Sequence, residues 1–119
     1  MDNKTRSLER QIEKIKRELV QVGALRPGTL SEQYNVCGTP GCRCKASPPE
    51  KHGPYYQLSY TRKGKSRTRF VRRENLPEVK KLMRNYARLR SLVDRWIDLA
   101  IDLSDLRIAE AKTRVSRRR

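Results

Sequence analysis

Hydrophobic positions near the start of the chain step at helical spacing. Leu8, Ile12, Ile15, Leu19 and Val22 are separated by 4, 3, 4 and 3 residues, with Arg, Lys and Glu between them. That is a narrow heptad seam, and it predicts a helix over residues 4–22 stopped by Gly23. Pro27-Gly28 turns the chain, and from Thr29 to Val36 the period drops to two. Leu30, Glu32, Tyr34 and Val36 alternate with Thr29, Ser31, Gln33 and Asn35, which predicts a short strand whose apolar side Glu32 interrupts. Two further strands are expected, over 55–61 and 66–72, around Arg62-Lys63-Gly64-Lys65. From about Asn75 the helical period returns. Val79, Leu82, Tyr86, Leu89, Val93, Trp96, Ala100 and Leu103 step 3, 4, 3, 4, 3, 4 and 3 residues, flanked by Met83, Leu92, Ile97, Leu99 and Leu106. A long helix over 75–111 follows, with Pro77 tolerated in its first turn.

The hairpin register can be argued from side-chain polarity. A loop of three or five residues sets Leu58 opposite Phe70 and Tyr60 opposite Thr68. Tyr56, Leu58, Tyr60 and Phe70 then share one face, and Ser59, Thr61, Arg67 and Arg69 the other. An even loop mixes Arg67 and Arg69 into the apolar side, so the odd loop is expected. A helix over 75–111 would be about 50 Å long, more than a compact domain of this size needs. Part of it is expected to pair with the first helix. The apolar face at Trp96–Leu106 is left for a second copy, making the protein a homodimer.

These elements make an α+β chain treated as a single domain over 1–111: a helix at 4–22, a loop-and-sheet module at 29–73 and a helix at 75–111. Residues 112–119 are read as a frayed basic tail. Within the module all three cysteines and the only histidine of the 119 residues fall close together, at Cys37, Cys42, Cys44 and His52. Four such ligands suit a closed tetrahedral zinc site, and Cys₃His is one of its accepted sets. Gly38, Pro40 and Gly41 supply the tight turn that ligands this close require. A long loop containing Pro48-Pro49 is also easier to tolerate if a metal pins both ends. Structural zinc is therefore the expected cofactor. Three buried thiols with a hydrogen-bonded His52, or a redox pair, are alternatives that the spacing leaves open. The odd cysteine count argues against a disulfide framework.

Charge adds a partner. The formal net charge is +16, from 29 Lys and Arg against 13 Asp and Glu. Self-repulsion on that scale suits a polyanionic partner, and nucleic acid comes first. The densest cationic run, Arg62 to Arg73, has seven basic residues and no acid. Arg62, Lys63, Lys65, Arg67, Arg69, Arg72 and Arg73 are candidate phosphate contacts. Arg43 and Lys45 are expected to extend the surface from the ligand loop, and Tyr55 is the aromatic candidate for stacking. A two-stranded ribbon is narrow enough for the major groove, so duplex DNA is expected ahead of RNA or single strands, in a regulatory or mobile-element setting. The alternative is an interaction protein that docks on a protein partner through a coiled coil, its basic face only assisting. No apolar run suits a membrane span, and a cytoplasmic location is expected, nucleoid-associated if the partner is DNA. The only histidine is committed to the candidate site, and no paired carboxylates or phosphate-cradling glycine motif lie near it. No enzymatic activity is expected.

The block Leu30-Ser31-Glu32-Gln33-Tyr34, Cys37-Gly38-x-Pro40-x-Cys42-x-Cys44, His52-Gly53-Pro54-Tyr55-Tyr56-x-Leu58-Ser59-Tyr60 and Gly64-Lys65-x-Arg67-Thr68 resembles a family of small prokaryotic proteins of unknown function. In that family the block sits between a short leading helix and a long trailing one. The resemblance implies that Cys37, Cys42, Cys44 and His52 act as a unit. It implies no activity.

Overall fold

A computed structural model describes residues 3–118 apart from 36, 38 and 47–49, with side chains to residue 115. Helix α1 (Asn3–Gln21) leads into a three-stranded antiparallel sheet, β1 (Thr29–Asn35), β2 (His52–Arg62) and β3 (Lys65–Val71), in the order β1-β2-β3. Short 3₁₀ turns occupy Arg43–Lys45 and Arg73–Asn75, and helix α2 runs Leu76–Arg118. The α+β architecture is the one expected. Val36, placed in the first strand by its alternation, and Pro48-Pro49 lie outside the described residues. No helix among the described residues is long and apolar enough to cross a membrane.

The backbone divides into two compact units where one domain was expected over 1–111: residues up to Ala24 together with those from Asn85 onward, and Leu25–Arg84. In the first unit the heptad seam of α1 does what its spacing predicts. Leu8, Ile12 and Ile15 are buried, and Leu8 and Ile12 cluster with Leu103 of α2, against which Trp96, Leu99 and Leu106 also pack. The helices run antiparallel. Thr5 Oγ1 donates to Glu110 at 3.4 Å, Arg107 pairs with Glu9 at 2.9 Å, Lys16 lies over the Trp96 ring at 5.4 Å, and Asn85 Nδ2 donates to the Ala24 carbonyl at 2.7 Å. This corrects the expectation that the Trp96–Leu106 face lacks an intrachain cover, since α1 is that cover. The tail also differs. α2 continues as helix through Arg118 instead of fraying from Lys112.

The second unit is built around Leu58, which is fully buried in the middle strand. Leu30 is its direct partner on β1. Gly28, at φ +151°, lies so close to the Leu58 side chain that a Cβ there would collide with it. Positive φ and the close approach both require glycine. The Arg26 backbone N–H donates to the Leu82 carbonyl of α2 at 3.2 Å, and its guanidinium lies 5.1 Å from the centre of the Tyr60 ring. The Nε of that guanidinium is buried with no hydrogen-bond partner among the described residues.

The hairpin register overturns the polarity argument. Arg62 pairs with Lys65, Tyr60 with Arg67, Ser59 with Thr68, Leu58 with Arg69 and Gln57 with Phe70. The loop is therefore two residues, Lys63-Gly64, at φ 53° and 76°. Positive φ at both central positions is the signature of a type I′ turn, whose twist matches the strands it joins. One face of the hairpin carries Tyr56, Leu58, Tyr60, Arg62, Lys65, Arg67, Arg69 and Val71. The other carries Tyr55, Gln57, Ser59, Thr61, Ser66, Thr68 and Phe70. Arg67 and Arg69 thus share a face with Leu58 and Tyr60, and Phe70 does not. Every residue from Thr61 to Phe70 is exposed, so sorting those side chains by polarity gains little, and the turn decides.

Candidate metal centre and basic hairpin

The end of β1 and the start of β2 place the cysteine–histidine cluster. Asn35 pairs with His52, and the register shifts between Gln33 and Asn35, because β2 carries an extra residue there. Gly53 occupies the irregularity at φ +146°. A Cβ would meet the Gln33 carbonyl oxygen and Tyr34 Cδ1, each at 2.8 Å. Cys37 leaves β1 just after this pair. Pro40-Gly41 turns the chain back, with Cys42 N–H to the Thr39 carbonyl at 3.4 Å and Gly41 at φ 76°. The Arg43–Lys45 turn then carries Cys44 inward, where it is fully buried.

Cys37, Cys42, Cys44 and His52 offer four ligand atoms that all lie within 4.8 Å of one another. Cys37 Sγ and Cys44 Sγ are 3.5 Å apart, and Cys42 Sγ is 3.1 Å from His52 Nε2. A tetrahedron of ligands at zinc–sulfur and zinc–nitrogen distances has edges of about 3.3–3.8 Å, so the cluster has the size of a metal site. The electrostatics already favour a thiolate. The backbone of Thr39, then hydrogen bonds from Cys44 and His52, hold the Cys37 thiol down to about 6. Burial pushes the Cys44 thiol up, against the Cys37 N–H that points at its sulfur from 3.3 Å. Three sulfurs and an imidazole this close would repel as anions or idle as thiols. A divalent cation among them removes the conflict. The arrangement could hold a metal ion, with four protein ligands of the set that structural zinc sites use.

The cationic candidates split between the two ends of the hairpin. Arg62, Lys65, Arg67 and Arg69 share one face near the tip, and Lys63 forms the turn itself. Arg43 and Lys45 sit in the metal loop, where β2 begins, ten residues from its tip end and so about 30 Å away along an extended strand. They do not extend the tip's surface, and Arg43 faces Glu50 at 4.0 Å. Arg72 and Arg73 follow β3 at the metal end and line a cavity with Tyr55 and Phe70. Tyr55 lies opposite the tip arginines instead of beside them. Sequence reasoning placed Phe70 in the core, yet it is 68% exposed. Its position beyond an Lys-Gly dipeptide of hairpin-turn type was the signal that could have found it.

A family model described as Domain of unknown function (DUF6788) matches residues 5–81, and the chain belongs to that family. The matched stretch takes in α1, the whole sheet, the cysteine–histidine cluster and the first turns of α2. No curated protein and no solved structure matches the chain.

Proposed function

We propose that this chain binds nucleic acid, duplex DNA ahead of RNA, through the tip of its β2–β3 hairpin, and that a structural zinc at Cys37, Cys42, Cys44 and His52 holds the opposite end of that hairpin in place. One observation carries the reading. β1 pairs with β2 only as far as Ser59, opposite Thr29, so Tyr60 to Arg67 project as a two-stranded ribbon. On that ribbon Arg62, Lys65 and Arg67 share a face, Lys63 caps the turn, and no acid is present. A ribbon of two strands fits the major groove, and guanidinium groups bridge phosphate oxygens in a forked geometry. The zinc has a mechanical part in this reading: it ties Cys37 at the end of β1 to His52 at the start of β2.

The test is salt-dependent binding by the Arg62→Ala/Lys65→Ala/Arg67→Ala variant. Affinity for every duplex sequence is expected to fall, and the slope of log K against log salt to become shallower by about 0.9 for each phosphate that the variant no longer neutralises. A folded variant with wild-type affinity and slope would remove the tip from the interface. Competition among duplex DNA, single strands and structured RNA ranks the partners.

A second reading, docking through α2, is favoured by a different observation. Ile97, Ile101, Ile108 and Val115 are each more than half exposed. At 100° per residue they fall within an arc of about 40°, on the side of α2 opposite the residues that pack on α1. Four large apolar side chains standing in water along one side of a helix mark an interaction surface. In this reading the stripe joins two copies of the chain, and the homodimer presents two basic ribbons.

A further inference from the structure

Phe70 is the chain's only phenylalanine, and it stands out in water at 68% exposure. Tyr55, itself 42% exposed, is its diagonal neighbour on the same sheet face, through the Gln57–Phe70 pair. The rest of that face is polar. Ser59 and Thr68 hydroxyls lie 3.4 Å apart and those of Thr61 and Ser66 2.8 Å apart. Two aromatic rings at one end of a hydroxyl-lined face do not serve the core, since Leu58 and Leu30 lie on the other side. Both rings line each of two hollows. One, of about 320 Å³, is lined by Pro54, Tyr55, Tyr56, Phe70, Arg72 and Arg73 among others. The other, of about 250 Å³, is lined by Asn35, Cys37 and His52 with the same two rings.

Flat apolar rings beside guanidinium groups call for a ligand that is itself a flat ring attached to an anion. An apolar peptide segment would cover the rings but strip water from Arg72 and Arg73 without offering a counter-charge. A nucleotide satisfies both. Its base presents a π-face to Phe70 and Tyr55, and its phosphate accepts from the arginines. Bases inside a duplex are already stacked on their neighbours and offer no free face, so the ligand must be unpaired.

We propose that Tyr55 and Phe70 form a stacking platform for an unpaired base of a nucleic-acid strand, with Arg72 and Arg73 taking the adjoining phosphate. This rests on the reading that the partner is nucleic acid, and it adds an interaction that the basic tip does not make. Asn35 lines the second hollow with the rings, and its amide offers both a donor and an acceptor for a base edge.

The test compares three fluorescently labelled probes on the purified full-length chain: a short oligothymidylate, a strand of equal length built from abasic sugar-phosphate units, and a blunt duplex. The wild type is expected to bind the thymidylate roughly five- to a hundredfold more tightly than the abasic strand at the same salt. Phe70→Ala and Phe70→Leu should each bring that ratio close to one and leave abasic binding and its salt slope unchanged, whereas Phe70→Trp should keep it. Because Phe70 is exposed, the variants should retain the wild-type circular dichroism. Equal wild-type affinity for the two strands, or a Phe70→Leu variant that weakens both alike, overturns the platform. Binding to the duplex with no base preference removes the platform and leaves the tip reading standing. Failure of all three probes to bind at low salt removes both.

Discussion

Removing the zinc proposed for the cysteine–histidine cluster should unfold one unit of this chain and spare the other. Among the described residues from Leu25 to Arg84, Cys44 and Leu58 are the only buried apolar side chains. Full burial of a leucine contributes about 1.5–3 kcal/mol. Structural zinc in small peptides has an apparent binding free energy of about 10–16 kcal/mol, which becomes folding energy where the site exists only in the folded state. The metal term is several-fold larger than the burial of Leu58, and no apolar core of comparable size backs it up. The helical unit is different. Leu8, Ile12, Ile15, Leu92 and Leu103 are buried there, and none depends on the cluster. The assay is amide hydrogen exchange read by peptide, with and without a strong chelator, alongside elemental analysis of the untreated protein. One zinc per chain is expected. On chelation, peptides from β1 and β2 should lose protection, while those from α1 and the C-terminal half of α2 keep it. Cys44→Ser should reproduce the chelated pattern without chelator, because the hydroxyl has nearly the thiol's shape but is a poor zinc ligand. A sheet that stays protected in metal-free protein would show that thiol packing alone holds the unit, and would refute the argument.

Gly53→Ala should cost roughly 1–3 kcal/mol in urea unfolding of the sheet unit and lower zinc occupancy, because the added Cβ meets the Gln33 carbonyl at a φ of +146°. A variant with wild-type stability and metal content would mean that the backbone beside His52 relaxes freely. Lys63→Asn should raise thermal stability by a few tenths to about 1 kcal/mol, since Lys63 holds φ 53° and asparagine tolerates that region better. No gain would argue against the two-residue turn. Ile97→Lys/Ile108→Lys should sediment as a folded monomer where the wild type sediments as a dimer, while Leu103→Lys should lose helix, because Leu103 is buried against α1. A wild-type monomer at tens of micromolar would rule out the stripe as a self-association surface.

Elements with a single periodic demand were legible in the chain. The 4-3-4-3 seam of α1 could bury only one side of a helix, and its Leu8, Ile12 and Ile15 are buried together with Thr5, while Leu19 and Val22 are half-buried. The convergence of Cys37, Cys42, Cys44 and His52 was equally legible, because soft ligands that converge must be joined by short, bendable segments, and Cys37 to Cys44 is such a segment. What the chain alone left undecided were choices between faces. In the β2–β3 hairpin a strand period of two makes each register flip every side chain, and the polarity argument weighed burial that the tip does not have. The Lys63-Gly64 turn settled the matter locally, moving Arg67 and Arg69 beside Tyr60 and turning Phe70 out to water. In α2 the apolar positions wrap too far round the helix for one partner. Which of them face α1 depends on how two helices far apart in sequence approach each other. That approach took Trp96, Leu99, Leu103 and Leu106 into the helix pair and left Ile97, Ile101 and Ile108 exposed. Periodicity says which positions of a helix are apolar, but only tertiary packing decides which of two opposite apolar faces joins the chain's own core and which stays open to a partner.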